Sequence, residues 1–343
     1  MKLLIRADAS SGIGSGHVMR CLALAQAWQD GAGEATFLTS APAPALTARL
    51  VQEGMLVVSA TSAPGSSEDA AATVETARQL HAAAIVVDGY HFGAEFQDSI
   101  HASGFPLLFI DDNAHAGRYV ADWVLNQNVH ADPAMYAGRA SGTRLLLGPS
   151  FSLLRREFNI WRGRKKEIPE VGRRVLITLG GSDPDNVTLR IIHALESIKL
   201  PGLEATVVAG GGNPHLDSLR AAIAQSSLPI QLAVNATNMP ELMSRADLAI
   251  SAGGSTCWEL ALLGLPACIL VIADNQEASV ARLQETGVFL SLGRAAACAP
   301  ETLAAAIESL LGDRVRRQLL SERGQNLVDG FGAERVAAAL RKI

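Results

Sequence analysis

Apolar residues come along this chain in short runs, each closed by Gly, Asp or Ser and followed by a longer stretch in which they recur at helical spacing. Short runs rich in aliphatic and β-branched residues suit strands buried on both faces, and the longer stretches suit helices that cover them. In the first half the pattern predicts strands at 2–6, 35–39, 56–59, 84–88, 107–111 and 123–125. The second half restarts with Arg174-Val-Leu-Ile-Thr-Leu-Gly-Gly and continues with strands at 205–209, 230–233, 248–251 and 268–271. Strand and helix alternate throughout, so the fold class is α/β, and the restart implies two Rossmann-like lobes with a cleft between them. Between the lobes, 151–172 carries a short predicted helix at 153–158 and then a charged stretch with Pro and Gly, suited to a linker. The expected domains are an N-terminal lobe at 1–160, a C-terminal lobe at 173–325, and 326–343, whose amphipathic helix at 333–341 can pack back on the first lobe. The Ala/Ser/Thr-rich piece at 59–72 reads as a loop leading into a helix.

A length of 343 residues suits two domains of about 150 each. Apolar residues at 48% give each lobe a core, and aromatics at only 5% leave it aliphatic. The net charge of −5 comes with no long basic run; the densest, Arg162 to Lys166, holds four cations and is expected on a solvated connector. Nucleic acid is therefore not an expected partner. The first strand turns polar at Asp8, too soon for a signal segment, and apolar runs never reach the ~18 residues of a membrane span. A cytoplasmic protein with no membrane partner is expected. Cys21, Cys257, Cys268 and Cys298 show no CxxC spacing, which fits reduced, buried thiols better than disulfides or zinc ligands.

The first strand runs into Asp8-Ala-Ser-Ser-Gly-Ile-Gly-Ser-Gly-His17, and helical spacing starts at Val18. Gly14, Ser15 and Gly16 allow a ligand close to the backbone, and the helix start offers unpaired N–H groups. In an open α/β sheet such a turn lies where ligands bind, although a tight turn without a ligand has the same composition. His17 falls in the first helical turn, where the positive end of the helix dipole lowers an imidazole pKa and favours the neutral ring. A neutral ring can take a proton from water or a hydroxyl; capping is the alternative. The spacing Gly12-x-Gly14-x-Gly16 is not GxGxxG, and the second strand ends in Phe37-Leu-Thr-Ser40 with no acid for a ribose, which argues against a dinucleotide. The absence of GxxxxGK[ST] argues against a P-loop enzyme.

The second lobe opens on Leu179-Gly-Gly-Ser-Asp-Pro-Asp-Asn186. Gly180, Gly181 and Ser182 can present N–H groups to a diphosphate, and Asn186 can reach the same ligand. Asp183 and Asp185 have the spacing of a DxD metal motif, but acids at a helix start are also what capping prefers, so no metal is expected. A later turn, Ser251-Ala-Gly-Gly-Ser-Thr-Cys-Trp-Glu259, places Glu259 one turn inside a helix beginning near Ser255, where its carboxylate can accept both hydroxyls of a diol.

Gly-Ser-Gly-His near the N-terminus, Gly-Gly-Ser in the second lobe, and Gly-Gly-Ser-Thr-x-x-Glu followed by Gly264-Leu-Pro resemble the MurG-like GT-B family. That resemblance implies a UDP-binding second lobe in which Glu259 holds the ribose. Arg6-Ala-Asp-Ala-Ser, Ile-Gly-Ser-Gly-His-Val-Met-Arg-Cys-Leu, Val87-Asp-Gly-Tyr90, Ile110-Asp-Asp, Leu147-Gly-Pro and Ala273-Asp-Asn-Gln276 resemble, more specifically, the PseG-type UDP-sugar hydrolases of pseudaminic acid biosynthesis. This similarity runs through essentially the whole chain in order. It implies release of UDP from UDP-2,4-diacetamido-2,4,6-trideoxy-β-L-altropyranose by water, with inversion, no metal or other cofactor, and His17 as base. Helix starts at 180–182 and at Gly254, Ser255 and Thr256 then stabilise the leaving diphosphate. Tyr90 orients water or substrate, or packs; Asp88 acts or braces its loop. Asn275 and Gln276 donate to sugar hydroxyls or acetamido groups, unless Asn275 caps a helix. The alternatives are a MurG-like transferase using a UDP-amino sugar and a non-catalytic nucleotide-sugar-binding module.

Overall fold

In the computed structural model, which describes residues 1–9, 14–40, 44–181 and 183–342, the apolar runs form two separate sheets. The first contains β1 (Lys2–Ala7), β2 (Glu34–Thr39), β3 (Leu56–Ser59), β4 (Ala82–Asp88), β5 (Leu107–Ile110), β6 (Trp123–Asn126) and β7 (Arg144–Leu147). Between its first five strands run α1 (Gly16–Asp30), α2 (Pro44–Gln52), α3 (Ser67–Leu80) and α4 (Ala94–Ala102). The second contains β8 (Arg174–Thr178), β9 (Glu204–Ala209), β10 (Ile230–Val234), β11 (Leu248–Ala252), β12 (Ala267–Val271) and β13 (Leu290–Arg294). Its helices are α5 (Val187–Glu196), α6 (Leu216–Gln225), α7 (Met239–Arg245), α8 (Thr256–Leu263), α9 (Glu277–Glu285), α10 (Pro300–Gly312) and α11 (Arg314–Leu327), and α12 (Gly332–Leu340) follows. The chain divides into one unit of Met1–Arg156 with Gly330–Ile343 and a second of Glu157–Asp329.

Both sheets are parallel, in the order β3-β2-β1-β4-β5-β6-β7 in the first unit and β10-β9-β8-β11-β12-β13 in the second. Each order reverses once, between β1 and β4 and between β8 and β11. Connections leave those neighbouring strands in opposite directions, which opens a crevice at their carboxyl ends. Ala7 pairs with Asp88 and Thr178 with Ser251, so in each unit the two turns that follow start side by side.

Side chains alternate across the first sheet as a pleated strand demands. Leu3, Ile5, Ala84, Val86, Leu108 and Ile110 pack with α1, whereas Leu4, Ile85, Val87, Leu107 and Phe109 share a core with Ala70, Val74, Phe96 and Ile100 of α3 and α4. Helix α1 is buried along most of its length because α12 packs against it: Val336, Ala337 and Leu340 enter the same core as Leu22 and Trp28. Arg341 lies 5.0 Å over the Trp28 ring and donates to its carbonyl oxygen at 2.8 Å.

The sheets hold two strands that the apolar pattern does not announce, β7 and β13, and both are edge strands. Both are short, β7 offering only three leucines after Arg144 and β13 alternating apolar with polar residues, and their residues are half-buried or exposed. The helix expected at 153–158 does not form; a 3₁₀ turn occupies Arg156–Trp161 instead. The N–H of Leu153 donates to the Gln127 side chain at 2.9 Å, and that of Arg156, which an α-helix would direct to the Ser152 carbonyl, goes to Gln26 at 2.8 Å. The basic connector is also less solvated than its composition suggests. Lys166 donates to the carbonyls of Met243 and Ser244 at the end of α7, and burial pushes its amine down to about 8. All four cysteines are free and buried, and among the described residues no helix is long and apolar enough to cross a membrane.

Leu340 has no exposed surface in the α1–α12 contact. Leu340→Ala is therefore expected to destabilise the protein by about 2–5 kcal/mol in urea unfolding, and an unchanged midpoint would remove α12 from the core of the first unit.

Candidate functional site

In the first unit Asp88 ends β4, Asp112 follows β5 and Asn126 ends β6, and α1 supplies the cation that joins the first two. Arg20 lies one turn beyond His17 on the same face of α1. Its Nε and Nη2 donate to the two oxygens of Asp88, at the end of β4, at 2.7 and 2.6 Å, and its Nη1 donates to Asp112 Oδ1, just past β5, at 2.8 Å. Burial opposes the guanidinium charge, but Asp112 and Asp88 more than offset it and hold Arg20 well above the ordinary arginine value. Burial likewise opposes the Asp112 charge, and Arg20 reverses that effect, leaving the carboxyl well below the usual range. Asp112 Oδ1 also accepts from Asn128 Nδ2 at 2.7 Å, and its Oδ2 accepts from the Tyr90 hydroxyl at 2.9 Å. Asn126, the last residue of β6, donates to the Asp112 carbonyl at 3.0 Å.

The Tyr90 ring stands edge-on to His17, with centroids 4.9 Å apart and planes at 83°, and edge-on to His115 at 5.6 Å. Tyr90 is 40% exposed, whereas His17 is 8% exposed. The His17 pKa lies below 6.5 chiefly because burial disfavours the charged ring; Asp88 opposes this and Arg20 adds to it. The neutral ring expected from the helix dipole is thus present for a different main reason. Ser15 stands at the N-cap position of α1 without a side-chain capping bond, Gly16 begins the helix, and Gly14 holds φ +76°, a conformation that favours glycine. Gly12 lies outside the described residues.

A second cluster braces the same sheet edge. Arg6 is fully buried between Asp69 and Asp8, and Asp8 Oδ1 accepts from the Ser40 N–H at 2.7 Å while Oδ2 lies 3.0 Å from His91. These bonds tie β1 to the end of β2, to α3 and to the turn after β4. Asp111, next to Asp112, is held by His115 at 3.0 Å and by the Tyr119 hydroxyl.

In the second unit the turns after β8 and β11 are rich in glycine, with Asp185 exposed in the first of them. Gly180 has φ +91°, and a Cβ on Gly210 would meet the Gly181 carbonyl oxygen at 2.3 Å, so the turns after β8 and β9 lie in contact. Ser182 lies outside the described residues. The Asp183 carboxylate accepts from the N–H groups of Val187 and Thr188 at 2.9 and 2.8 Å, which caps α5. Asn186 Nδ2 donates to Ser218 Oγ on α6 at 3.2 Å. Gly254 is exposed, Ser255 stands at the N-cap of α8, Thr256 begins that helix, and Glu259 lies half-buried in its first turn.

Gln276 has a further task beyond the expected donation to sugar. Its Oε1 accepts from the N–H groups of Gly253 at 3.2 Å and Ile272 at 3.0 Å, pinning the turn before α8. A Cβ on Gly253 would meet Val280 at 2.3 Å, so only glycine lets α9 approach. Asn275 is exposed within the 3₁₀ turn Asp274–Gln276, whose N-cap position is Ala273, so it is not the helix cap.

The residues that sequence reasoning passed over are Arg20, Asp112 and Asn128. Two signals point to them: Arg20 follows His17 by three positions on one helix, and Asp88, Asp112 and Asn128 fall at or within two residues of the ends of β4, β5 and β6.

Residues 175–328 match the Glycosyltransferase family 28 C-terminal domain. The spore coat polysaccharide biosynthesis protein SpsG of Bacillus subtilis is 28% identical over 239 residues, 69% of each chain. The UDP-2,4-diacetamido-2,4,6-trideoxy-beta-L-altropyranose hydrolase of Campylobacter jejuni is 27% identical over 289 residues, covering 84% of this chain and 97% of that protein. Among solved structures, MurG of Acinetobacter baumannii superposes with a TM-score of 0.69 at 17% identity, and Anabaena HepE in complex with UDP-glucose with 0.67 at 18%; each pair is covered over 100% of both chains. The architecture is that of the GT-B fold, α/β with a parallel sheet in each unit.

Removing the shared cation leaves two buried carboxylates uncompensated. Arg20→Met is expected to cost about 3–5 kcal/mol in chemical denaturation; a cost near zero would show that the network does not hold the strand ends.

Proposed function

We propose that the chain is a nucleotide-sugar hydrolase that releases UDP from a UDP-2,4-diacetamido-2,4,6-trideoxyhexose, with His17 as general base. The observation that carries this reading is a buried imidazole, kept neutral by its surroundings, beside Tyr90 at the crevice between β1 and β4. The Campylobacter jejuni relative, named for hydrolysis of such a sugar nucleotide and aligned over nearly its whole length, supports the substrate class.

In this reading a water oxygen bonds to the anomeric carbon while one of its protons passes to His17. The bond from that carbon to the β-phosphate oxygen breaks, its electron pair leaves with UDP, and the sugar departs as the hemiacetal of inverted configuration. His17 then returns its proton to solvent. N–H groups around Gly180, Gly181 and Ser182 and at the start of α8, from Gly254 through Ser255 to Thr256, meet the diphosphate charge as it grows. Glu259 takes the ribose hydroxyls, and Asn275 with the amide nitrogen of Gln276 faces the sugar. Asn186 contributes by holding α6 beside the diphosphate turn through Ser218. No divalent cation takes part, because backbone donors supply the positive field and Asp183 is committed to α5.

A second reading, a transferase in which an acceptor hydroxyl replaces water, is favoured by the match of residues 175–328 to a glycosyltransferase domain. Incubation with the UDP-sugar alone separates the two. UDP release without an acceptor is expected, falling at least about 100-fold in His17→Asn; release only with an added acceptor would establish the transferase, and an unaltered rate in the variant would remove His17 from catalysis. The rate should also be flat through pH 7 and fall with unit slope on the acid side, because His17 must be neutral to act and its pKa lies below 6.5. A midpoint above 6.5 in the kcat profile would contradict a buried, neutral base.

A further inference from the structure

We infer that Asp112 fixes the direction of the Tyr90 hydroxyl proton, making the phenol oxygen an acceptor for the nucleophilic water, so that Asp112 is a positioning residue for the reaction. The inference rests on the hydrolytic reading and adds to it the polarity of a hydrogen bond.

A phenol has one proton to give. Tyr90 gives it to Asp112 Oδ2 at 2.9 Å. The carboxylate cannot exchange roles, because it is ionised and an ionised carboxylate only accepts. Nor can it swing away: Oδ1 is held by Arg20 Nη1 at 2.8 Å and Asn128 Nδ2 at 2.7 Å, and Arg20 is itself fixed by its two bonds to Asp88. With its proton directed at Asp112, the Tyr90 oxygen meets any further partner with a lone pair.

That polarity decides how a water can sit beside His17. A water has two O–H bonds and two lone pairs. If the neutral His17 ring accepts one O–H and Tyr90 accepts the other, both water protons are engaged and a lone pair is left to form the bond to the anomeric carbon. A phenol that donated would instead occupy one of the two lone pairs, drawing electron density from the oxygen that must attack and leaving the second water proton unengaged. The edge-on packing of the two rings, with centroids 4.9 Å apart, sets the phenol beside the imidazole, and in this reading one water bridges the two. Tyr90 then acts on the water, and Asp112 acts through Tyr90.

Asp112→Asn tests this with almost no change of shape. Its carbonyl can keep Arg20 and Asn128, which places the new –NH₂ against the Tyr90 oxygen and turns the phenol proton outward. The expected result is a fall in kcat of about 100-fold, as for a misoriented nucleophile, with KM changed less than about twofold. Tyr90→Phe should fall similarly, and the double variant should be no slower than the slower single one, because both changes remove one device. An undiminished kcat in Asp112→Asn, or losses that multiply in the double variant, would overturn the inference. Replacing Tyr90 with 3-fluorotyrosine, assayed where the phenol stays protonated, leaves Asp112 intact and guards against misfolding of the first variant. Fluorine weakens the oxygen as an acceptor and strengthens it as a donor, so kcat should fall; a rise shows that Tyr90 donates and refutes the inference. Absence of UDP release by the unmodified protein overturns the hydrolytic reading and this inference with it, whereas release by the unmodified protein with normal kcat in both Asp112→Asn and the fluorotyrosine protein overturns the inference alone.

Discussion

The buried guanidinium of Arg20 is the constraint on which the first unit's site depends. A cation out of water is tolerable only with its partners in place, and a planar fork accepts those partners in few geometries. Arg20 therefore fixes where α1 lies relative to the ends of β4 and β5. Through Asp112 the constraint reaches the residues after β6 and the turn that carries Tyr90. His17 sits one helical turn from the same guanidinium, so its ring inherits a position set by electrostatics it does not itself take part in bonding.

The two units use one topology for different ends. In each, the reversal of strand order brings two turns together at the carboxyl edge. The first unit fills that edge with arginines and a larger number of carboxylates, and burial, working against the nearby Asp88 and Asp112, keeps the imidazole uncharged. The second leaves its edge to peptide groups, with glycines at Gly180, Gly253 and Gly254 and with Gln276 holding one of the turns in shape. Backbone donors of that kind suit an anion whose charge is spread over several oxygens.

Much of the architecture was legible because buried parallel strands need apolar runs. Central strands such as β4 and β11 stand out for that reason, whereas β7 and β13 are short, half-buried or exposed, and carry only a few apolar residues each. His17 was legible from its place behind a glycine turn. Asp112 and Asn128 were not, because their roles depend on contacts between residues 92 and 16 positions apart in the chain, and no local pattern carries that information. Asn186 was singled out for its position at a helix start, and the bond from its Nδ2 to a serine on α6 is likewise a contact that no local pattern carries. The helix expected near 153–158 failed for a related reason, since side chains far away in sequence claim its backbone donors.

The packing of α12 on α1 also sets an order of assembly during synthesis. The first unit is written in two pieces, with all of Glu157–Asp329 between them. The ribosome must therefore finish the whole second unit before the helix that completes the first one's core emerges. Until then the apolar flank of α1 around Trp28 stays uncovered, so the earlier half of the chain waits, open and adhesive, for the later half to be made.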